Sequence, residues 1–312
     1  MRIAIVDIGT NSTRLLVCER DGDRIADELE RESTVTRLGA GVDSDGRLSD
    51  EAMDRVYATL DRYRELIDRH DPDAAIAVLT SAARDAANGQ EFADSVRERY
   101  GLEPHVITGD EEAGLTFLGA MSERDPEDRT PTVVIDIGGG STEIVIGEGR
   151  EAGFHVSTQA GVVRQTERHI HEDPPTEEEV AETREDVRAI LREGVPEEQR
   201  RAVERAIAVA GTATSLGAIA QELDPYDPEK VHGYRLTRSQ CEEILDRLAS
   251  IPLEERRQVA GLHPDRAPTI VAGVVILLEV LRLFGLEAVE VSEHDILRGA
   301  ALGLTRDEPP GS

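Results

Sequence analysis

A repeat constrains this chain more than any other feature. Residues 134–146, Val-Ile-Asp-Ile-Gly-Gly-Gly-Ser-Thr-Glu-Ile-Val-Ile, lie without a gap on residues 5–17, Ile-Val-Asp-Ile-Gly-Thr-Asn-Ser-Thr-Arg-Leu-Leu-Val. Each copy reads as two strands rich in β-branched residues, joined by a tight Asp-x-Gly turn. Taken alone, the second copy would also suit a Gly-rich hairpin of an ordinary antiparallel sheet. Two copies far apart in one chain instead imply two similar halves, each offering its turn to a shared cleft.

The turns suggest what the cleft holds. Gly138, Gly139 and Gly140 have no Cβ, so their amides can approach an anion closely, and phosphate is the obvious guest. Ser141 adds a hydroxyl, and Gly9, Thr10, Asn11 and Ser12 form the matching turn of the first copy. Asp136 and Glu143 flank the second turn with hard oxygens suited to Mg²⁺, with Mn²⁺ as the alternative, and Asp7 aligns with Asp136 as a third candidate ligand. Arg14 stands where the second copy has Glu143, so the first turn is expected to grip phosphate and the second to hold metal.

Charge limits the partners. The 312 residues carry 64 Asp and Glu against 35 Lys and Arg, a formal charge of −29, and Lys230 is the only lysine. That surplus suits concentrated salt such as a haloarchaeal cytosol, where self-repulsion is screened. It argues against nucleic acid or an anionic membrane as partner, and aromatics at 3% leave few surfaces for base stacking. Cys18 and Cys241 read as core thiols. Met1 leads directly into a strand, so a cytoplasmic protein is expected.

In chain order, a strand from Arg24 to Thr36 completes a meander, and residues 37–48 read as a loop. Ser49 caps a helix to about His70. A strand from Ala74 ends in the loop Thr80-Ser81-Ala82-Ala83-Arg84-Asp85-Ala86, where Arg84 reads either as a surface arginine or as an anion ligand. A helix over 90–100 and a strand over 105–108 lead to Gly109-Asp110-Glu111-Glu112-Ala113. Asp110 is a plausible N-cap there, and Glu111 and Glu112 read as ordinary first-turn acids.

Beyond a charged linker over 122–131, the second half reads as the Gly-rich hairpin, a third strand over 153–158, and a helix over 161–170 carrying Arg164, Arg168 and His169. An acidic helix from Thr176 to Gly194 and a strand over 206–210 follow. That strand stops in a third small-residue loop, Gly211-Thr212-Ala213-Thr214-Ser215, and Gly211 and Thr212 are candidate phosphate ligands before a helix N-terminus. His232 reads as structural. A helix follows over 237–249. The apolar run 268–284 reads as a helix packed on the sheet or on a partner subunit, which would make a homodimer. A strand over 288–292, a helix over 293–304 and a disordered tail over 306–312 end the chain.

With two duplicated turns and a third small-residue loop, the sequence resembles the actin, Hsp70 and sugar-kinase superfamily. More closely, it is similar to the exopolyphosphatase and guanosine pentaphosphate phosphohydrolase family. The motifs are Asp-Ile-Gly-Thr-Asn-Ser from Asp7, Thr-Arg-Leu-Gly-x-Gly-Val from Thr36, Thr-Ser-Ala-x-Arg-Asp-Ala from Thr80, Gly-x-Glu-Glu-Ala from Gly109, Asp-Ile-Gly-Gly-Gly-Ser-Thr-Glu from Asp136 and Gly-Thr-Ala-Thr from Gly211. Ser-Glu-His-Asp-Ile-Leu from Ser292 resembles the ending of the short, two-domain members.

The resemblance implies an α/β, duplicated, ribonuclease H-like fold with two lobes around a phosphate-binding cleft. The lobes would be 1–127 and 128–292, with residues 293–305 packing back on the first. It further implies Glu112 as the base that activates water, Arg84 as a phosphate ligand, and Asp136 and Glu143 as organisers of the metal. One departure stands out: many members have Arg after Glu-Glu-Ala, and this chain has Gly114, a loss that Arg14, Arg37 or Arg164 could offset. The expected activity is release of terminal phosphate from inorganic polyphosphate. Guanosine pentaphosphate hydrolysis is the enzymatic alternative, and a polyphosphate or alarmone sensor without turnover the non-enzymatic one.

Overall fold

The computed structural model describes residues 1–125 and 127–304, with 43 and 44 described by backbone alone. The tail over 306–312 lies outside the described residues. The chain divides into two compact units, Met1–Glu123 together with the segment from Asp295 onward, and Arg124–His294.

The first unit is built on strands β1 (Arg2–Ile8), β2 (Ser12–Asp21), β3 (Arg24–Val35), β4 (Ala74–Leu79) and β5 (Glu103–Val106). Their order is β3-β2-β1-β4-β5; β1, β2 and β3 form an antiparallel meander, and β4 and β5 continue it in parallel from β1. Helix Asp50–His70 puts Ala52, Val56, Leu60, Tyr63 and Ile67 on one buried face, the spacing a 3.6-residue period requires. Each large apolar side chain so buried contributes roughly 1.5–3 kcal/mol. Ile3, Ile5 and Leu16 face the other way, and against them lie Ile296, Leu297, Ala300 and Ala301 of helix Ile296–Gly303. That helix crosses helix Gly109–Ala120 closely: a Cβ on Gly119 would collide with the Asp295 carbonyl, and one on Gly299 with the Leu115 carbonyl.

The second unit repeats the plan with β6 (Thr132–Ile137), β7 (Thr142–Glu148), β8 (Glu151–Thr158), β9 (Arg205–Val209), β10 (Arg235–Thr237) and β11 (Ala288–Val291). The order is β10-β11-β9-β6-β7-β8, in which β8-β7-β6-β9-β11 matches β3-β2-β1-β4-β5 in direction as well as sequence, and β10 is an added antiparallel edge. Helix Ile270–Phe284, apolar nearly all round, is buried within this unit against Val187, Leu191, Ile244, Leu245 and Leu248, so its hydrophobic length is accounted for without a second subunit. Its one buried acid, Glu279, is met by Arg188 at 2.9 Å and Arg282 at 2.5 Å.

Several local readings shift. The stretch 37–48 contains a short helix, Val42–Asp45, between two left-handed glycines, and the stretch after Thr80 is itself a helix, Ser81–Asp85. Beta-strand β5 begins at Glu103, ahead of the expected 105. Asp110 is not the N-cap: Thr108 caps that helix in a reciprocal box with Glu111, because its hydroxyl reaches the Glu111 amide. The small-residue stretch at 211–215 is no loop but the opening of helix Ala210–Ala220, and Ala210 takes the sharp turn at φ 62. Among the described residues, no helix is long and apolar enough to cross a membrane.

Candidate active site

The repeated sequence folds into the same register twice. Asp7 lies opposite Arg14 and Asp136 opposite Glu143, while Gly9 N–H donates to the Ser12 carbonyl at 3.0 Å and Gly138 N–H to Ser141 at 2.9 Å. Residues directly opposite on paired strands share a face, so each turn is flanked by its two charged residues side by side.

In both units the turn carbonyls are held from behind. The Thr10 carbonyl accepts from Gly39, and the Asn11 carbonyl from Thr36 and Arg37. The Gly138 carbonyl accepts from Val162, and the Gly139 carbonyl from Val163 and Arg164, at the start of helix Val162–His169; the Arg164 Nε adds a bond to Gly140 at 3.0 Å. A Cβ on Gly161 would strike the turn, and so the helix can approach this closely only with glycine there. Since a peptide N–H points opposite to the carbonyl it follows, anchored carbonyls turn the amides of Asn11, Gly139 and Gly140 outward. No hydrogen-bond partner is present for these amides among the described residues, as an anion cradle requires.

The charges around the turns differ. Arg14 bonds Asp7 Oδ2 through Nε at 2.8 Å and through a terminal nitrogen at 2.6 Å, and its other terminal nitrogen pairs with Asp295. Burial nonetheless outweighs the guanidinium and raises the Asp7 carboxyl above its ordinary range. Its second oxygen, Oδ1, is buried without a hydrogen bond. Asp295 was not singled out from sequence; what marks it is its place as N-cap of helix Ile296–Gly303. At the second turn Glu143 accepts from Ser141 at 2.6 Å and from Ser157, on the neighbouring strand, at 2.9 Å. Ser157 too escaped sequence reasoning, because only the β7–β8 register brings it there. Asp136, Glu143 and the hydroxyls of Ser141 and Ser157 form an all-oxygen donor set, whose chemistry fits Mg²⁺ or Mn²⁺.

The first unit also brings Arg84 and Glu112 together. Arg84 rides on the short helix after β4, whose cap Thr80 takes an amide bond from Arg84 itself. One guanidinium nitrogen donates to the Ile107 carbonyl at 3.0 Å and to Glu112 Oε2 at 3.1 Å. Glu111 is occupied otherwise, accepting from the Thr108 amide at 2.7 Å. The two neighbouring acids thus divide the work: Glu111 closes the helix start, and Glu112 faces the arginine. Thr10 and Ser81 hydroxyls meet at 2.7 Å, joining the first turn to the segment that carries Arg84. Nothing lies within contact distance of a Cβ at Gly114, so no packing demands glycine there.

In the second unit Gly211 and Thr212 are the second and third residues of their helix. Thr212 Oγ1 donates to the Ile137 carbonyl at 3.2 Å, tying it to the end of β6. Arg266 lies over Gly211, where a Cβ would collide with its guanidinium, and donates to Ser215 Oγ at 3.4 Å. The sequence offers no signal for Arg266 beyond the Pro264 before it. Cys18 and Cys241 are buried, with thiols pushed up to about 12 chiefly by desolvation, which leaves them inert.

Against known proteins, residues 4–305 match the family model described as the Ppx/GppA phosphatase family. The chain is 39% identical over 315 aligned residues to exopolyphosphatase 2 of Mycobacterium tuberculosis, covering 97% of this chain and 98% of that protein. Among solved structures it resembles a Ppx/GppA family member of Aquifex aeolicus, with a TM-score of 0.83, 34% identity and coverage of 97% and 96% of the two chains. An exopolyphosphatase from Cytophaga hutchinsonii superposes with a TM-score of 0.84 at 30% identity, covering 97% and 98%.

Proposed function

This chain belongs to the Ppx/GppA phosphatase family, with its actin-like α/β fold, and we propose that it is an exopolyphosphatase that hydrolyses terminal phosphate from inorganic polyphosphate. The observation that carries the reading is the split between adjacent glutamates: Glu111 is consumed by the capping box, while Glu112 is held by Arg84. The name of the mycobacterial relative supports the substrate.

Phosphoryl transfer asks mainly for alignment and charge neutralisation. The outward amides of Gly139 and Gly140 offer donors to phosphate oxygens. Asp136 and Glu143 would hold Mg²⁺ or Mn²⁺, which when bound supplies positive charge at those oxygens. Arg84 orients the Glu112 carboxylate and can donate to phosphate through its remaining N–H groups. Glu112 takes a proton from water, the water oxygen bonds to the terminal phosphorus, and the bridging P–O bond breaks toward the shortened chain.

Glu112→Gln keeps size and helix propensity but cannot accept the proton, so turnover should fall roughly 10²- to 10⁴-fold with polyphosphate affinity retained. Glu111→Gln should cost only stability, about 1 kcal/mol for a weakened cap. Phosphate release from long polyphosphate, tripolyphosphate and guanosine pentaphosphate is the readout. Comparable turnover in the two variants removes Glu112 as base, and preference for the nucleotide removes polyphosphate as substrate. Run from dilute buffer to molar KCl, the series also tests the acidic surface: activity should rise with salt, and full activity in dilute buffer contradicts a halophilic design.

A further inference from the structure

We propose that Arg37 is a substrate-binding arginine of the first unit, gripping the phosphate chain beside the Gly9–Ser12 turn; this rests on the phosphohydrolase reading above. The observation that singles it out is its backbone. Arg37 sits at φ 50, the left-handed region that an L-residue with a long side chain adopts only at a cost glycine would avoid. Such a conformation persists where surrounding bonds over-determine it, and strained residues of this kind cluster at ligand clamps.

The surrounding bonds are specific. The Arg37 amide donates to the Asn11 carbonyl at 2.9 Å, beside the Thr36 amide at 3.0 Å on the same oxygen. A second arginine, Arg55, holds the segment from the other side, donating to the Thr36 carbonyl at 2.7 Å and the Arg37 carbonyl at 3.0 Å. Leu38 is fully buried, and Gly39 donates to Thr10 with no room for a Cβ against the Thr10 methyl. With Leu38 driven inward and both ends clamped to the turn, the left-handed step at 37 sends that side chain out into solvent, where it is exposed.

Arg37 then does what few arginines of this unit do. Arg14, Arg31, Arg64, Arg84 and Arg97 each engage a carboxylate, in a chain where acids outnumber bases 64 to 35. Among the described residues, the Arg37 side chain has no hydrogen bond or ion pair. A guanidinium kept clear of carboxylates, on the loop that clamps the turn with the outward Asn11 amide, suits an anion of linked phosphates, which can take the planar fork two oxygens at a time.

The test uses the full chain with Arg37→Ala, Arg37→Lys and Arg37→Gly, and Arg47→Ala as control. Arg47 is also exposed but, among the described residues, makes no bond to the turn, and its backbone lies outside the left-handed region. Tripolyphosphate binding by calorimetry, phosphate release from polyphosphate and melting temperature are measured for each. Losing a charge-assisted bond should weaken tripolyphosphate and raise KM roughly tenfold in Arg37→Ala, with kcat within about twofold. Arg37→Lys should recover part of the loss, and Arg47→Ala should match the wild type. Arg37→Gly should bind as weakly as Arg37→Ala yet melt no lower than the wild type, since glycine relieves the strain. Unchanged affinity in Arg37→Ala and Arg37→Gly overturns the proposal, and so does a joint fall of kcat, affinity and melting temperature. A wild type that binds tripolyphosphate but releases no phosphate would overturn the phosphohydrolase reading and leave Arg37 standing.

Discussion

The two turns share a backbone and differ in what stands at one position. In the first, Arg14 faces Asp7 and also pairs with Asp295, so a cation built into the chain closes the charge. In the second, Glu143 occupies that place beside Asp136, held by the hydroxyls of Ser141 and Ser157. Two carboxylates directly opposite on one sheet face repel each other. The same scaffold therefore yields one turn whose aspartate faces an arginine and one whose aspartate faces a glutamate, the pair proposed above to hold the metal. Duplication fixed the geometry, and a single charge reversal separated the chemistry.

That contrast can be broken most forcibly at Arg14. Its side chain is 17% exposed and its partners Asp7 and Asp295 are 4% and 5%, so Arg14→Gln strands two buried carboxylates. Denaturant unfolding should show a loss of about 3–5 kcal/mol, the usual effect of removing one partner of a buried pair. The equivalent change in the other turn, Glu143→Gln, keeps an oxygen for both hydroxyls and should cost about 1 kcal/mol or less. Equal losses would erase the distinction between the turns.

A smaller effect sharpens the metal side. Asp136→Asn offers an oxygen but no charge, so the metal concentration for half-maximal activity should rise about tenfold while the melting temperature stays near that of the wild type. A folded variant with an unaltered metal titration would place the ion elsewhere.

The smallest effect concerns pH. Burial raises the folded-state carboxyl of Asp7 above 3.8, so whatever stability it confers is complete below 3.8 and is lost as pH rises through the raised value. Denaturant midpoints of wild type and Asp7→Asn, followed from about pH 3 to about pH 7, should show the wild type's relative stability greatest in acid and declining upward. A relative stability that grew with pH would mean that Arg14 outweighs burial.

Much of this was legible in the sequence because repetition is a stronger signal than propensity. The Asp-x-Gly turns, their register and the capped helix from Ser49 follow from period and turn chemistry. The sequence suggests loops at 80–86 and 211–215 where the structure has helices, since Ala, Thr and Ser at the end of a strand do not reveal that a helix starts without a gap. Three acids in a row make Asp110 a plausible cap on sequence alone; only the reach of the Thr108 hydroxyl decides which residue closes the helix. Asp295, Ser157 and Arg266 were invisible for another reason: each meets its partner through tertiary folding, and nothing local records the pairing.

The second unit is one continuous run of chain, whereas the first is completed by a helix that follows it. A ribosome therefore releases every residue of the second unit before Ile296, Leu297, Ala300 and Ala301 can cover Ile3, Ile5 and Leu16. Until then the sheet made first waits with one face unsealed, and Arg14 lacks its second carboxylate partner, Asp295. Domains formed in order of synthesis commonly fold N-terminal first. Here the order is inverted: the unit begun first is the last to close, and a chain stopped after residue 294 should keep the cooperative unfolding of the second unit and lose that of the first.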